Sequence, residues 1–327
     1  MSRAGEFEFI AERLAPLTHG APGAAGLADD GALIDLDPGE TLAVTTDTLV
    51  EGRHFPAGGD AKLAARKALR VNLSDLAAMG ARPFGYFLNI VWPLEGAASR
   101  ADGFVAGLKA DQDAFAIRLL GGDTTAGPGP WTIAVTMVGR RPAGSSLRRG
   151  GARAGDTLVV TGTIGDAVLG LKSLSGEEDA IDSEDRAWLE RRSLLPSPRL
   201  EAAPALRRHA TAVIDVSDGV LADARHLAVQ SGLKLEIDLE NLPQSEPAQR
   251  WLSAQADEAE ARLQLASGGD DYELLIATAR PEALIGELAG IGLEARAAGV
   301  FMAGPRRVRV RFHGRDLKPD SWGFTHF

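Results

Sequence analysis

The sequence predicts a two-domain protein of the α/β (α+β) class, on three observations. Short runs rich in β-branched and aromatic residues alternate with longer stretches of helical period. A Gly-, Arg-, Ser- and Pro-rich segment, GRRPAGSSLRRGGARAG (139–155), interrupts the series between two apolar strands. At 327 residues the chain is about twice as long as one ordinary domain. The expected division is therefore 1–150 and 151–327.

In the N-terminal half, TLAVTTDTLV (41–50), FGYFLNIVW (84–92) and WTIAVTMVGR (131–140) read as strands, and AIRLLGGD (116–123) is strand-like. Between them, 60–79 and 97–116 carry apolar residues at helical spacing. The first places Leu69, Leu73 and Leu76 on one stripe, and Gly80 and Pro83 signal its end. In the C-terminal half, DTLVVTG (156–162), AVIDVSDG (212–219), LKLEIDL (233–239) and YELLIATA (272–279) read as strands. The stretches 198–208, 220–230 and 281–289 read as helices, and the acidic 173–191 as a solvated loop leading into a helix. RRVRVRF (306–312) alternates as the solvated face of an edge strand would.

Composition narrows the function. A hydrophobic fraction of 45% supports sizeable cores, and a formal charge of −10 argues against a broad nucleic-acid surface. The absence of cysteine removes thiolate metal sites, disulfides and thiol nucleophiles. With no secretory leader pattern and no apolar run of ~18 residues, a soluble cytoplasmic protein without membrane partners is expected. Gly-Lys occurs nowhere, so there is no Walker A loop, and G-x-G-x-x-G is absent as well. Any phosphate must be handled by another device.

Aspartates supply one. Asp29 and Asp30, Asp47, Asp75, Asp123, Asp215 and Asp218, and Asp270 and Asp271 mostly stand where an apolar run meets a small-residue turn, the usual place for ligand contacts in α/β proteins. One such Asp is ordinarily a turn former or cap. A set of them suits hard Mg²⁺, which takes oxygen ligands, a few per ion, together with substrate phosphate. Asp75 falls in the last turns of its helix, near the negative end of the macrodipole, where a carboxylate is disfavoured unless a cation neutralises it. In GGDTT (121–125) the glycines allow backbone N–H groups to approach a phosphate closely. Of six histidines, only His54 follows a polar strand end, in TTDTLVEGRHF (45–55).

Ten stretches in order across the chain, GEFEFI, GLADDGALI, TTDTLVEGRHF, KALRVNLSDLAAMGARP, GGDTT, VTGTIGDA, PSPRL, VIDVSDGVLAD, GGDDYELL and WGFTHF, resemble the thiamine-monophosphate kinase family. That family belongs to the aminoimidazole ribonucleotide synthetase-like superfamily. The resemblance implies a two-domain fold of that type, an N-terminal mixed sheet with helices plus a C-terminal α/β domain, and a homodimer through the N-terminal sheets. It implies Mg²⁺-dependent, direct in-line transfer of the ATP γ-phosphate to thiamine monophosphate. The family's metal positions fall on Asp30, Thr45, Thr46, Asp47, Asp75, Asp123, Asp215 and Asp218, several ions being held. Its ATP contacts fall on Gly122, Asp123, Arg149 and Ser217, its substrate contacts on His54, Asp270 and Phe324, and its catalytic positions on Asp47, Asp75, Asp123 and Asp215.

There are two departures. The family's GGEDYEL is GGDDYEL here, which shortens Asp270 by a methylene, and its RSGA is RRGGA, which favours Arg149 and leaves Arg148 open. Other readings are aminoimidazole ribonucleotide synthetase itself, disfavoured by TTDTLVEGRHF and WGFTHF, and a non-catalytic binder of cations or nucleotide.

Overall fold

Strand β1 (Glu40–Val50) opens a four-stranded sheet that also contains β2 (Arg82–Pro93), β3 (Leu119–Gly127) and β4 (Thr132–Pro142), in the order β1-β4-β2-β3. This computed structural model describes residues 8–29, 31–144, 147–177 and 181–325. The chain divides into two units, Met1–Leu76 with Ala81–Gly144, and Ala77–Gly80 with Ser145–Phe327.

In the first unit β4 pairs antiparallel with β1 and β2, while β2 and β3 run parallel, so the sheet is mixed. Parallel neighbours need a crossover, and α2 (Ala97–Phe115) supplies it. Helix α1 (Ala61–Ala78) packs closely on α2, for a Cβ added at Gly107 would lie 2.3 Å from the Lys62 carbonyl oxygen. Arg66 and Arg70, both on α1, donate to the fully buried Asp111 of α2 at 2.6–3.0 Å. The Leu69, Leu73 and Leu76 stripe is buried as its spacing requires. Beneath the sheet Trp92 stacks on Trp131 with ring centroids 5.3 Å apart, and Phe55 and Phe104 meet Trp131 edge-on.

The second unit holds β5 (Thr157–Thr161), β6 (Ala210–Asp215), β7 (Lys234–Asp238), β8 (Leu274–Thr278), β9 (Ala295–Met302), β10 (Arg307–Phe312) and β11 (Arg315–Leu317) in the order β11-β10-β7-β9-β5-β8-β6. Its helices are α3 (Asp166–Ser175), α4 (Ser183–Leu194), α5 (Ala203–His209), α6 (Val220–Ser231), α7 (Glu246–Ser253), α8 (Glu258–Ser267) and α9 (Pro281–Gly290). β5 (TLVVT) and β8 (LLIAT) carry consecutive apolar residues without alternation because both sheet faces are covered.

RRVRVRF is not an edge strand. β10 pairs parallel with β7 and antiparallel with the three-residue β11, so the sheet ends one strand further out. Its arginines face partners: Arg309 reaches both Glu236 and Asp316, and Arg311 lies 3.7 Å from Glu236. The structure also contains α3, α7, α8 and β9, which hydrophobic period did not mark. β9, ARAAGVFM, is too rich in Ala and Gly to look like a strand, and α7 is barely two turns long.

Candidate active site

The first unit carries an acidic pair between a strand and a helix. Along β1, Ala43, Thr45, Asp47 and Leu49 face inward, while Leu42, Val44, Thr46 and Thr48 face out. The inward face meets α1, where the Thr45 hydroxyl donates to Asp75 and Asp47 is hydrogen-bonded to Asp75 as well. Burial, reinforced by the neighbouring Asp75 charge, raises the Asp47 carboxyl to about 7. Two adjacent carboxyls with a hydroxyl between them form an oxygen-only donor set that a hard cation would relieve, so these residues fit Mg²⁺.

The pleat separates the other expected donors from this pair. The Thr46 hydroxyl lies on the outer face, 3.1 Å from that of Thr136. Asp123 sits in register with Asn89, Ala134 and Thr48 on that same outer face, whereas its neighbour Thr124 faces the core and accepts from the Trp92 indole at 3.0 Å. Thr46 therefore does not share its side-chain environment with Asp47. Asp30 lies outside the described residues.

β3 is the last strand of its sheet and has pairing on one side only. At Gly122, φ is +150° and a Cβ would lie 1.9 Å from the Leu88 carbonyl oxygen, so no other residue fits. Gly121, Gly122 and Asp123 line a pocket of about 180 Å³, together with Asp29, Gly31 and Phe87. His54 follows the turn after β1: its N–H donates to the Val50 carbonyl at 2.9 Å and its Nδ1 accepts the Val50 N–H at 3.0 Å. That acceptance fixes the neutral tautomer with the proton on Nε2. Glu51 accepts from Gly58 N–H and from Arg100, which braces the same turn.

In the second unit three of the singled-out stretches meet. The Asp270 N–H donates to the Ser217 carbonyl, the Tyr272 N–H to the Val216 carbonyl and the Phe324 N–H to the Asp218 carbonyl, all at 2.8–2.9 Å. Glycines permit this contact: a Cβ at Gly269 would lie 2.4 Å from the Ser217 oxygen, and one at Gly323 2.6 Å from the Asp218 oxygen. Asp215 ends β6 and is buried. The Ser217 and Asp218 N–H groups both donate to Asp223, whose carboxyl is raised to about 7 by burial and then by Asp218. The Arg149 charge opposes that rise as the smallest of its causes, and the Arg148 carbonyl accepts the Val213 N–H of β6. Trp322 packs on the core, and Phe324 is 39% exposed.

Family models for AIR synthase related proteins match both units, the N-terminal domain over residues 28–141 and the C-terminal domain over 153–311. A thiamine-monophosphate kinase of Caulobacter vibrioides is 44% identical over 98% of this chain and 90% of that protein. The chain belongs to the thiamine-monophosphate kinase family. The thiamine-monophosphate kinase of Stenotrophomonas maltophilia K279a superposes with a TM-score of 0.78 at 37% identity, covering 89% of this chain and 91% of that one. The structure of AaThiL complexed with AMPPCP and TMP gives a TM-score of 0.77 at 30% identity, with 91% of each chain covered.

In this thiamine-monophosphate kinase family member the singled-out Asp271, and Glu273, which was not read as a site residue, are buried acids with protein partners. Asp271 is buried and accepts the Gly165 and Ala167 N–H groups at the start of α3, at 2.8 and 3.1 Å. Burial and then the Asp166 charge raise it to about 8. Glu273, also fully buried, accepts from Thr161, Arg192 and Arg199. In sequence Glu273 looks like an ordinary charge at the start of a strand, and the one available signal was its place inside YELLIATA, whose strand residues have no exposed face.

Proposed function

We infer that this chain is an ATP-dependent phosphotransferase that converts thiamine monophosphate and ATP to thiamine diphosphate and ADP. Full-length kinship to curated thiamine-monophosphate kinases carries the reading. The acidic pair, the glycine-lined pocket and the Arg149 loop support it with chemistry suited to phosphate. Identification of thiamine diphosphate as the product of purified protein, ATP, Mg²⁺ and thiamine monophosphate tests it.

The acceptor asks for little covalent help. A phosphate monoester has a second pKa of about 6, so its attacking oxygen is already ionised at neutral pH. Rate can then come from placing two phosphates in line and offsetting their charge. Phosphate oxygens would sit in the pocket that Gly121, Gly122 and Asp123 line. In the second unit, Arg149 and the Ser217 hydroxyl would contact the ATP phosphates. His54 would donate its Nε2 proton to the acceptor phosphate, and Asp270 and Phe324 would hold the thiamine moiety. Asp47, Asp75 and Thr45 would hold Mg²⁺ in the first unit and Asp215 and Asp218 in the second, with Asp123 a further ligand. When bound, the ions would neutralise phosphate charge. Transfer is direct, with no phosphoenzyme, and trapping a labelled phosphoprotein would refute that.

The exposed face of β1 supports a homodimer through the first unit. Val44 there is 61% exposed and Leu42 is also uncovered, on an antiparallel edge that invites a second copy. Among the described residues no helix is long and apolar enough to cross a membrane, and we assign the activity to the cytoplasm, where ATP is plentiful.

A further inference from the structure

Loop 268–273 is held in a way that contact with substrate does not require. Asp270 and Tyr272 both have left-handed backbone, with φ of +70° and +51°, a conformation uncommon outside glycine that Asp tolerates and a bulky Tyr adopts only when its surroundings impose it. Anchors alternate along the loop. The N–H groups of Asp270 and Tyr272 are tied to the 216–217 backbone, while the side chains of Asp271 and Glu273 point into the interior.

The Glu273 anchor is the more elaborate. Arg199 donates to both carboxylate oxygens, Arg192 donates at 3.1 Å and the Thr161 hydroxyl at 2.8 Å. Thr161 in turn accepts the Leu274 N–H at 2.8 Å, which closes the cluster back on the strand that leaves the loop. Arg192 also lies 3.6 Å from Asp166, on the helix that Asp271 caps. A Cβ at Gly162 would lie 2.1 Å from the Glu273 carboxylate, so the 162–165 turn is shaped around this group. A buried two-arginine cluster contributes little stability beyond what apolar packing could give, and its best use is to fix one geometry.

We propose that Glu273, clamped by Arg199 and Arg192, is a positioning residue that sets the left-handed backbone of Asp270 and so aims its carboxylate at the acceptor substrate. This rests on the reading of Asp270 as an acceptor contact. Glu273 itself touches no substrate.

Steady-state kinetics of the full chain, with each substrate varied in turn, test the proposal in Arg199→Lys, Glu273→Gln and Asp270→Ala. Arg199→Lys is the mild variant, since it keeps a cation and removes the two-pronged donation. Its expected effect is a rise in KM for thiamine monophosphate of about tenfold, the scale of one lost charge-assisted hydrogen bond, with KM for ATP and kcat little changed. Asp270→Ala should raise the same KM, and adding Arg199→Lys to it should change nothing more. If Asp270→Ala raises KM while folded Arg199→Lys and Glu273→Gln leave it unchanged, the positioning role is overturned and the Asp270 contact stands. If Asp270→Ala leaves KM unchanged, the contact falls and the proposal with it. Lower kcat at unchanged KM, reflecting fewer folded molecules, would mark a merely structural cluster and overturn the proposal.

Discussion

Asp47 within β1 and Asp75 on α1 are hydrogen-bonded carboxyls, the second in the last turns of its helix, and Thr45 donates to the same Asp75. Burial and this neighbour hold Asp47 at about 7. The pair stores like charge that a cation would relieve, which makes its metal dependence measurable apart from turnover.

Without divalent cation, the native state binds a proton at Asp47 that the unfolded chain, near 3.8, has released. Stability from this group should therefore be full below about pH 4 and fall as pH rises through about 7. Thermal melts in EDTA and in Mg²⁺ should separate more at pH 8 than at pH 5. Asp47→Asn should flatten the pH slope in EDTA and lower kcat by roughly 10²-fold, as removal of one electrostatic group at a reacting centre does.

Gly122→Ala should be severe. Its Cβ would meet the Leu88 carbonyl oxygen at 1.9 Å, so β2 and β3 must part or the chain must refold locally. A loss of about 2–4 kcal/mol in denaturant melts is expected, with weakened binding of an ATP analogue in the surviving folded protein. Gly129→Ala, with nothing near its Cβ, serves as the control.

The two C-terminal aromatics should behave oppositely. Trp322 packs against the second core, so Trp322→Ala should cost about 2–3 kcal/mol of stability. Phe324 is 39% exposed, so Phe324→Ala should change stability by less than about 0.5 kcal/mol and raise KM for thiamine monophosphate.

Val44→Asp places a charge on the exposed outer face of β1. If two copies meet there, light scattering at micromolar concentration should shift from dimer to monomer mass while the melting temperature of the first unit stays close to the parent's. An unchanged dimer mass would move the interface elsewhere.

Most strands and the long helices were legible because their apolar residues repeat at one period. The leucine stripe of α1 and the consecutive apolar residues of β5 and β8 are examples. The faces of β1 were not legible. Leu42 and Val44 are as apolar as Ala43 and Leu49, so alternation separates Thr46 from Asp47 but does not say which of them is inward. Asp215 and Asp218 stood out at a strand end, whereas Asp271 and Glu273 are structural acids whose partners lie far along the chain. Arg199 is 74 residues from Glu273, and no local pattern links them.

The most direct measurement is ADP release by the purified chain with ATP and Mg²⁺, in the presence and absence of thiamine monophosphate, with thiamine diphosphate quantified in the same samples. The expected result is ADP and thiamine diphosphate formed one to one, only when thiamine monophosphate is present. ADP release that is absent, or that proceeds equally without thiamine monophosphate, would contradict the assigned activity.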